Sequence, residues 1–110
     1  MPSIEDFHEF DIRVGEVIHA EVNQKALKPA YLLRIDLGGE LGVKTSSAQI
    51  CDNYKIEELT GRQVITIVNL PPRRVAGHKS EVLVLAVVCK DRGTVLLKPD
   101  INVTLGQRIA

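Results

Sequence analysis

Two cysteines, one methionine, no tryptophan and only four aromatic rings among 110 residues remove several classes of protein at once. Cys51 and Cys89 lie far apart with no Cys-x-x-Cys pair, which argues against a disulfide scaffold and against a structural zinc site. A reducing cytoplasm is the expected home, and no metal is expected. The longest unbroken apolar run, Val82 to Cys89, is eight residues, against the roughly 20 needed to cross a bilayer. Acids precede the first apolar stretch, so neither membrane insertion nor a signal peptide is expected. An excess of one charge is also missing. Fourteen basic residues balance 14 acidic ones, so attraction to a polyanion must come from a local patch.

Catalytic patterns are absent too. Gly38 to Thr45 is glycine-rich, but its Lys44 does not follow a glycine and a strand, not a helix, comes next, so it is no phosphate loop. The three histidines are scattered, no serine sits in a nucleophile elbow, and Cys51 has no His or Asn near it in sequence. No catalytic residue, no metal ligand and no cofactor are assigned, and the chain reads as a non-enzymatic, single domain over residues 1–110.

What is present is an uneven layout of charge. Residues 1–11 hold Glu5, Asp6, Glu9 and Asp11 with no base, whereas Leu59 to Ser80 hold Arg62, Arg73, Arg74 and Lys79 with no acid. Valine and isoleucine fall in short runs punctuated by Gly, Pro and Asn, which is strand grammar. Ile12 to Val22 alternates as a long strand, with Gly15-Glu16-Val17 breaking the pattern as a bulge would. Tyr31 to Leu37 and Leu41 to Ser46 flank Gly38-Gly39 as a hairpin. Val64 to Leu70 and Val82 to Val88 read as central strands, and Thr94 to Leu97 as a shorter one. Ser3 and Asp6 fit a capping box before Phe7 and Phe10, both expected on a buried helix face. Tyr54 to Leu59 fits a short helix, capped by Asp52 or Asn53 and stopped by Gly61. The fold class expected is all-β: an OB-fold five-stranded barrel with short helices, a core over about 11–98, and terminal extensions 1–10 and 99–110. A small sandwich stays open as the alternative.

Two constellations carry chemistry. Asn69 to Ser80 is a proline-stiffened basic loop, which lowers the entropic cost of fixing Arg73 and Arg74 on phosphates; a solvated strand connection is the plainer reading. Lys44 to Gln49 offers one cation, three hydroxyls and an amide, though hydroxyls also satisfy turn backbone. With so few rings, stacking on single strands is not expected, and a folded RNA read by backbone and shape fits better. Because the basic loop runs into Val82 to Leu85, one groove with an apolar floor and a rim of Arg73, Arg74 and Lys79 is expected. RNA and an unfolded chain would then compete for it.

Asp11-Ile12-Arg13-Val14-Gly15, Ile35-Asp36-Leu37-Gly38, Glu58 to Val64 and Val68 to Gly77 together resemble the tRNA-binding OB domain family, in order, from about Asp11 to Val88. That domain occurs at the C-terminus of many bacterial methionyl-tRNA synthetases and in free-standing tRNA-binding proteins. Ser46 to Ile50 and Gly77 to Leu85 are most similar to its branch of secretion-associated chaperones. Two positions depart from the tRNA-binding pattern: Ser80-Glu81-Val82-Leu83 replaces Ser-x-Gly-Met, and Asn23 to Pro29 replaces a His-Pro-x-Ala-Asp stretch. The resemblance implies a cytoplasmic homodimer that binds tRNA or other folded RNA, and unfolded polypeptides or preproteins as an export chaperone. A free-standing structure-specific tRNA-binding protein without a chaperone role is the alternative. The residues it carries over as an RNA-binding surface are Lys44, Ser46, Ser47, Gln49, Asn69, Arg73, Arg74, His78, Lys79 and Ser80.

Overall fold

The computed structural model describes residues 1–110. In chain order the elements are α1 (Ile4–His8), β1 (Ile12–Val22), β2 (Tyr31–Asp36), β3 (Val43–Ala48), α2 (Ile56–Leu59), β4 (Gln63–Ile67), β5 (Arg73–Val75), β6 (His78–Ser80), β7 (Leu83–Val84), β8 (Ala86–Cys89) and β9 (Gly93–Leu96). No helix is long and apolar enough to cross a membrane.

The long first strand organises everything else. Its first half, Ile12 to Glu16, pairs antiparallel with β4, and its second half, Glu16 to Val22, with β2. The register shift that bends it falls between Val17 and His19, later than the sequence implied, and it flips which residues face inward. Val17 faces the core before the shift and Ala20 after it. Gly15 has another purpose: a Cβ there would lie 2.5 Å from Ile35 Cγ2 and 2.9 Å from Leu37 Cδ2. The strands therefore approach more closely than a side chain allows.

The sheet order is β3-β2-β1-β4-β7, all antiparallel. It nearly closes where Glu81 and Val82 donate their backbone N–H groups to the Thr45 carbonyl at 2.8 and 3.3 Å. The result is the expected OB-like five-stranded barrel. Val17, Leu33, Ile35, Leu37, Val64 and Val82 fill it, with Leu59 of α2 packed into the same core. A second cluster lies on the outer face of β1 and β4, where Ile12, Val14 and Ile65 are covered by Phe7 and Ile109. The segment 106–109 completes the open edge of β1: Val14 N–H donates to the Gln107 carbonyl, Gly106 N–H to Val14 and Ile109 N–H to Ile12, at 2.8–3.0 Å.

Several expectations need correction. β4 ends at Ile67 instead of Leu70. Val82 to Val88 is not one central strand: Leu83–Val84 pairs with β4 and Leu85 adds one further bond to it, while Ala86–Cys89 leaves the barrel to pair with β9 in a separate ribbon. An apolar run does not reveal how many of its faces are covered. Phe7 is half-buried, but Phe10 is 44% exposed. The capping box of α1 forms as read, with Ser3 N–H donating to Asp6 Oδ2 and Asp6 N–H to Ser3 Oγ. In α2 the cap is Lys55, whose N–H donates to Glu58 Oε1. Asn53 instead donates to the carbonyls of Arg92 and Thr94, tying the approach to α2 onto β9.

Candidate nucleic-acid interface

The stretch expected as a stiff loop is a hairpin. β5 and β6 pair Arg73 with Ser80, Arg74 with Lys79 and Val75 with His78. Ala76 and Gly77 both have positive φ, 48° and 83°, the signature of the tight turn that follows strand twist. The base of the hairpin is fastened to β3. Ser47 N–H donates to Ser80 Oγ at 3.0 Å, Thr45 N–H to Glu81 Oε1 at 3.1 Å, and Thr45 Oγ1 to the Lys79 carbonyl at 2.7 Å. Side chains of the 80–81 segment thus satisfy edge donors that a backbone ladder would otherwise take.

Fastened in this way, the hairpin separates two hollows. On one side is a groove of about 370 Å³ lined by Ser47, Leu70, Pro72, Arg73, Glu81 and Leu83 among others. On the other is a hollow of about 260 Å³, bordered by Glu21, Leu32, Arg34, Thr45, His78 and Lys79. Alternation along a strand sends successive side chains to opposite faces, so Arg73 and Ser80 share one face and Arg74 and Lys79 the other. The expected three-cation rim is therefore split, with Arg73 alone on the groove. Arg74 reaches toward the turn, its Nη1 donating to the Gly77 carbonyl at 3.3 Å. A further cation comes from the β1–β2 connection. Lys25 Nζ lies 3.7 Å from where a Cβ on Gly77 would stand, and Asn23 shapes that connection by accepting Lys25 N–H at Oδ1.

The ten residues named from sequence do not form one surface. Ser47, Arg73 and Ser80 line the groove, and His78 and Lys79 the second hollow, with Arg74 on the Lys79 side. Ser46 is 2% exposed and its hydroxyl is buried without a partner, so a surface ligand does not reach it. Lys44 is half-buried in register with buried Ile35. Asn69 holds the N-terminal segment, accepting Asp11 N–H and donating to the Glu9 carbonyl. Gln49 is exposed elsewhere, beside Cys51, Asp52 and Thr94. Arg62 leaves the basic stretch altogether: its guanidinium lies 5.0 Å from the centre of the Tyr54 ring, in a polar hollow with Glu58 and Lys98. Lys25 and Arg34 were missed. Arg34 could have been found as an outward position of β2, but nothing local in the sequence joins Lys25 to Gly77.

The electrostatics favour an anion. The only ion pair is Arg13 with Asp11, and that bond holds the Arg13 guanidinium above its ordinary value. Lys25, Arg34, Arg73, Arg74 and Lys79 have no carboxylate partner. No Phe, Tyr or Trp lines either hollow. Tyr31 is buried and donates its hydroxyl to the Tyr54 carbonyl at 2.7 Å; burial pushes its phenol up, and burial likewise raises the Cys51 thiol. No three His, Cys, Asp or Glu side chains gather to hold a metal ion. Such a surface can take phosphates and hydroxyls by backbone and shape; it lacks a stacking platform for single strands.

The family model described as "Putative tRNA binding domain" matches residues 12–108. The crystal structure of the CsaA chaperone from Picrophilus torridus is 44% identical, with a TM-score of 0.94 and full coverage of both chains. The CsaA chaperone from Bacillus anthracis is 49% identical, with a TM-score of 0.93, covering 100% of this chain and 99% of that one. These neighbours fall in the branch that residues 46–50 and 77–85 resembled. The methionine–tRNA ligase of Pyrococcus furiosus is 35% identical over 97% of this chain but only 14% of the ligase, so the chain spans about one seventh of that relative's length.

Proposed function

The chain belongs to the tRNA-binding domain family, and on that premise we propose that it binds folded RNA, tRNA first, on the side of the hairpin that holds Arg34, Arg74 and Lys79, with Lys25 at the hairpin tip. The observation that carries this reading is a set of cations free of carboxylate partners around a hollow that holds no Phe, Tyr or Trp. Phosphates would meet those side chains. It acts as a binding protein with no catalytic step; in the ligases it resembles, this region is one seventh of the whole.

A second activity, holding unfolded polypeptides as an export chaperone, is supported by the likeness to CsaA chaperones and by the groove, where Leu70, Pro72 and the 46% exposed Leu83 offer apolar contact. Homodimerisation and a cytoplasmic setting complete the reading. For dimerisation the support is Val88 and Ile101, 85% and 73% exposed outside the barrel.

The test is titration of folded tRNA and of an unstructured RNA of equal length across a range of salt. With ~3 to 4 phosphates neutralised per protomer at about 0.7–0.9 each, the log–log slope should be about −2 to −4 per protomer. Arg74→Ala with Lys79→Ala should weaken tRNA binding and flatten that slope by about 1.4 to 1.8 units. Equal affinity for both RNAs, or an unchanged slope in the double variant, defeats the proposal. Retained tRNA binding with no affinity for unfolded protein leaves the tRNA-binding protein without a chaperone role.

A further inference from the structure

Two cations far apart in the chain meet at one backbone position. Gly77, in the turn between β5 and β6, accepts a hydrogen bond at its carbonyl from Arg74 Nη1 at 3.3 Å. The side chain of Lys25, from the β1–β2 connection, lies over the same residue, with Cδ 3.4 Å and Nζ 3.7 Å from where a Cβ would stand. The two charged groups are therefore within about 10 Å of one another, close enough for a single anion to feel both before salt screens either. Neither has a carboxylate partner, and Glu21, the acid of the adjoining hollow, forms no ion pair. Like charges repel, so the backbone that carries them has to enforce their convergence.

On the Lys25 side that backbone is shaped by Asn23. Its Oδ1 accepts the Lys25 N–H at 3.2 Å, its own N–H donates to the Ala30 carbonyl at 2.9 Å, and its carbonyl accepts the Ala26 N–H at 3.2 Å. The residue is 3% exposed, and its Nδ2 is buried with no acceptor. A buried donor left unpaired disfavours the fold, and here it accompanies an oxygen that holds the turn carrying Lys25. We propose that Lys25 and Arg74 form a clamp at the hairpin tip for a backbone phosphate of folded RNA, and that Asn23 is the positioning residue that sets it.

The proposal rests on the RNA-binding reading above, and its test tells the two apart. A tRNA transcript with a 5′-hydroxyl, offering backbone phosphates alone, is titrated across a range of salt into wild type and variants. Lys25→Ala and Arg74→Ala are each expected to weaken binding on the order of 3- to 10-fold at low salt and to flatten the log–log slope by about 0.7 to 0.9. Together they are expected to lose less than the product of the single losses, as partners on one phosphate do; losses that multiply overturn the clamp. Asn23→Ala is expected to reproduce the Lys25→Ala loss and to add nothing in the Lys25→Ala background. Asn23→Ser, which keeps a short side-chain oxygen for the turn, is expected to recover part of that loss. An Asn23→Ala that lowers the thermal midpoint and leaves tRNA affinity and slope unchanged overturns the positioning role. If Asn23→Ala does not fold, Asn23→Ser takes its place, with a partial loss that must vanish in the Lys25→Ala background. A wild type that binds tRNA no better than Lys25→Ala at any salt overturns the clamp and leaves the RNA reading standing. Absence of tRNA binding by the wild type overturns that reading and the clamp with it.

Discussion

Gln63 to Ile67 and Val82 to Cys89 look alike as letters, and the fold treats them oppositely. In the first run Val64 faces the barrel core while Ile65 and Ile67 face the outer cluster under Phe7 and Ile109. Both faces are covered, so nearly every residue is buried. In the second run Val82 enters the core, Leu85 donates its N–H to Ile65 and receives one from Leu97, and beyond it β8 has only β9 beside it. Val87 and Val88 are left exposed. Apolar composition states what a segment needs; whether it is met depends on segments distant in sequence, here the two chain ends. An apolar ribbon is left uncovered, with exposed Leu97 and Ile101 nearby in sequence, and the dimer proposed above would cover it.

The largest effect expected from this contrast is in the covered run. Ile65→Ala should cost about 2–5 kcal/mol, read as a lowered midpoint in urea with an unchanged slope, whereas Val88→Ala should stay within about 0.5 kcal/mol in the monomer. Equal losses at the two positions would erase the distinction. Of intermediate size is the effect on self-association. Val88→Asp combined with Ile101→Asp should make the protein sediment as a monomer at micromolar concentrations where the wild type sediments as a dimer, with little change in unfolding of the monomer. A wild type that is already monomeric there would show the ribbon to be merely solvated. The smallest effect is chemical and probes the covered interior behind the first run. Tyr31 and Cys51 are both pushed up by burial, so the unfolded chain loses their protons before the folded one does. Stability contributed by these groups is complete below their ordinary values and declines as pH rises through about 9 to 10. Thermal midpoints should therefore fall more steeply between about pH 9 and pH 11 in the wild type than in Tyr31→Phe. Parallel curves would place the phenol in water.

The same contrast explains what could be read from residue order. The hairpin of β2 and β3, the capping box of Ser3 and Asp6, and the bent β1 are local patterns with local causes, and they were visible. The site was visible as composition, since Arg73, Arg74 and Lys79 stand in a stretch without acids. Its division was not. Which face Arg73 takes depends on the hairpin register, Arg62 is drawn off by the Tyr54 ring, and Ser46 turns inward because it stands opposite Leu33. Lys25 meets Gly77 only because the β1–β2 connection and the hairpin tip converge at one end of the barrel.

The strand addition by residues 106–109 has a consequence for how the molecule is made. Arg13 reaches the Gly106 carbonyl across 93 positions of sequence, and the outer cluster is not covered until Ile109 is present. Without that segment β1 has a free edge and Ile12, Val14 and Ile65 lose the cover of Ile109, so the fold closes through contacts between residues far apart in sequence. Such long-range closure slows folding relative to local pairing. Until that closure the chain carries an open edge of the kind that invites pairing with a neighbour.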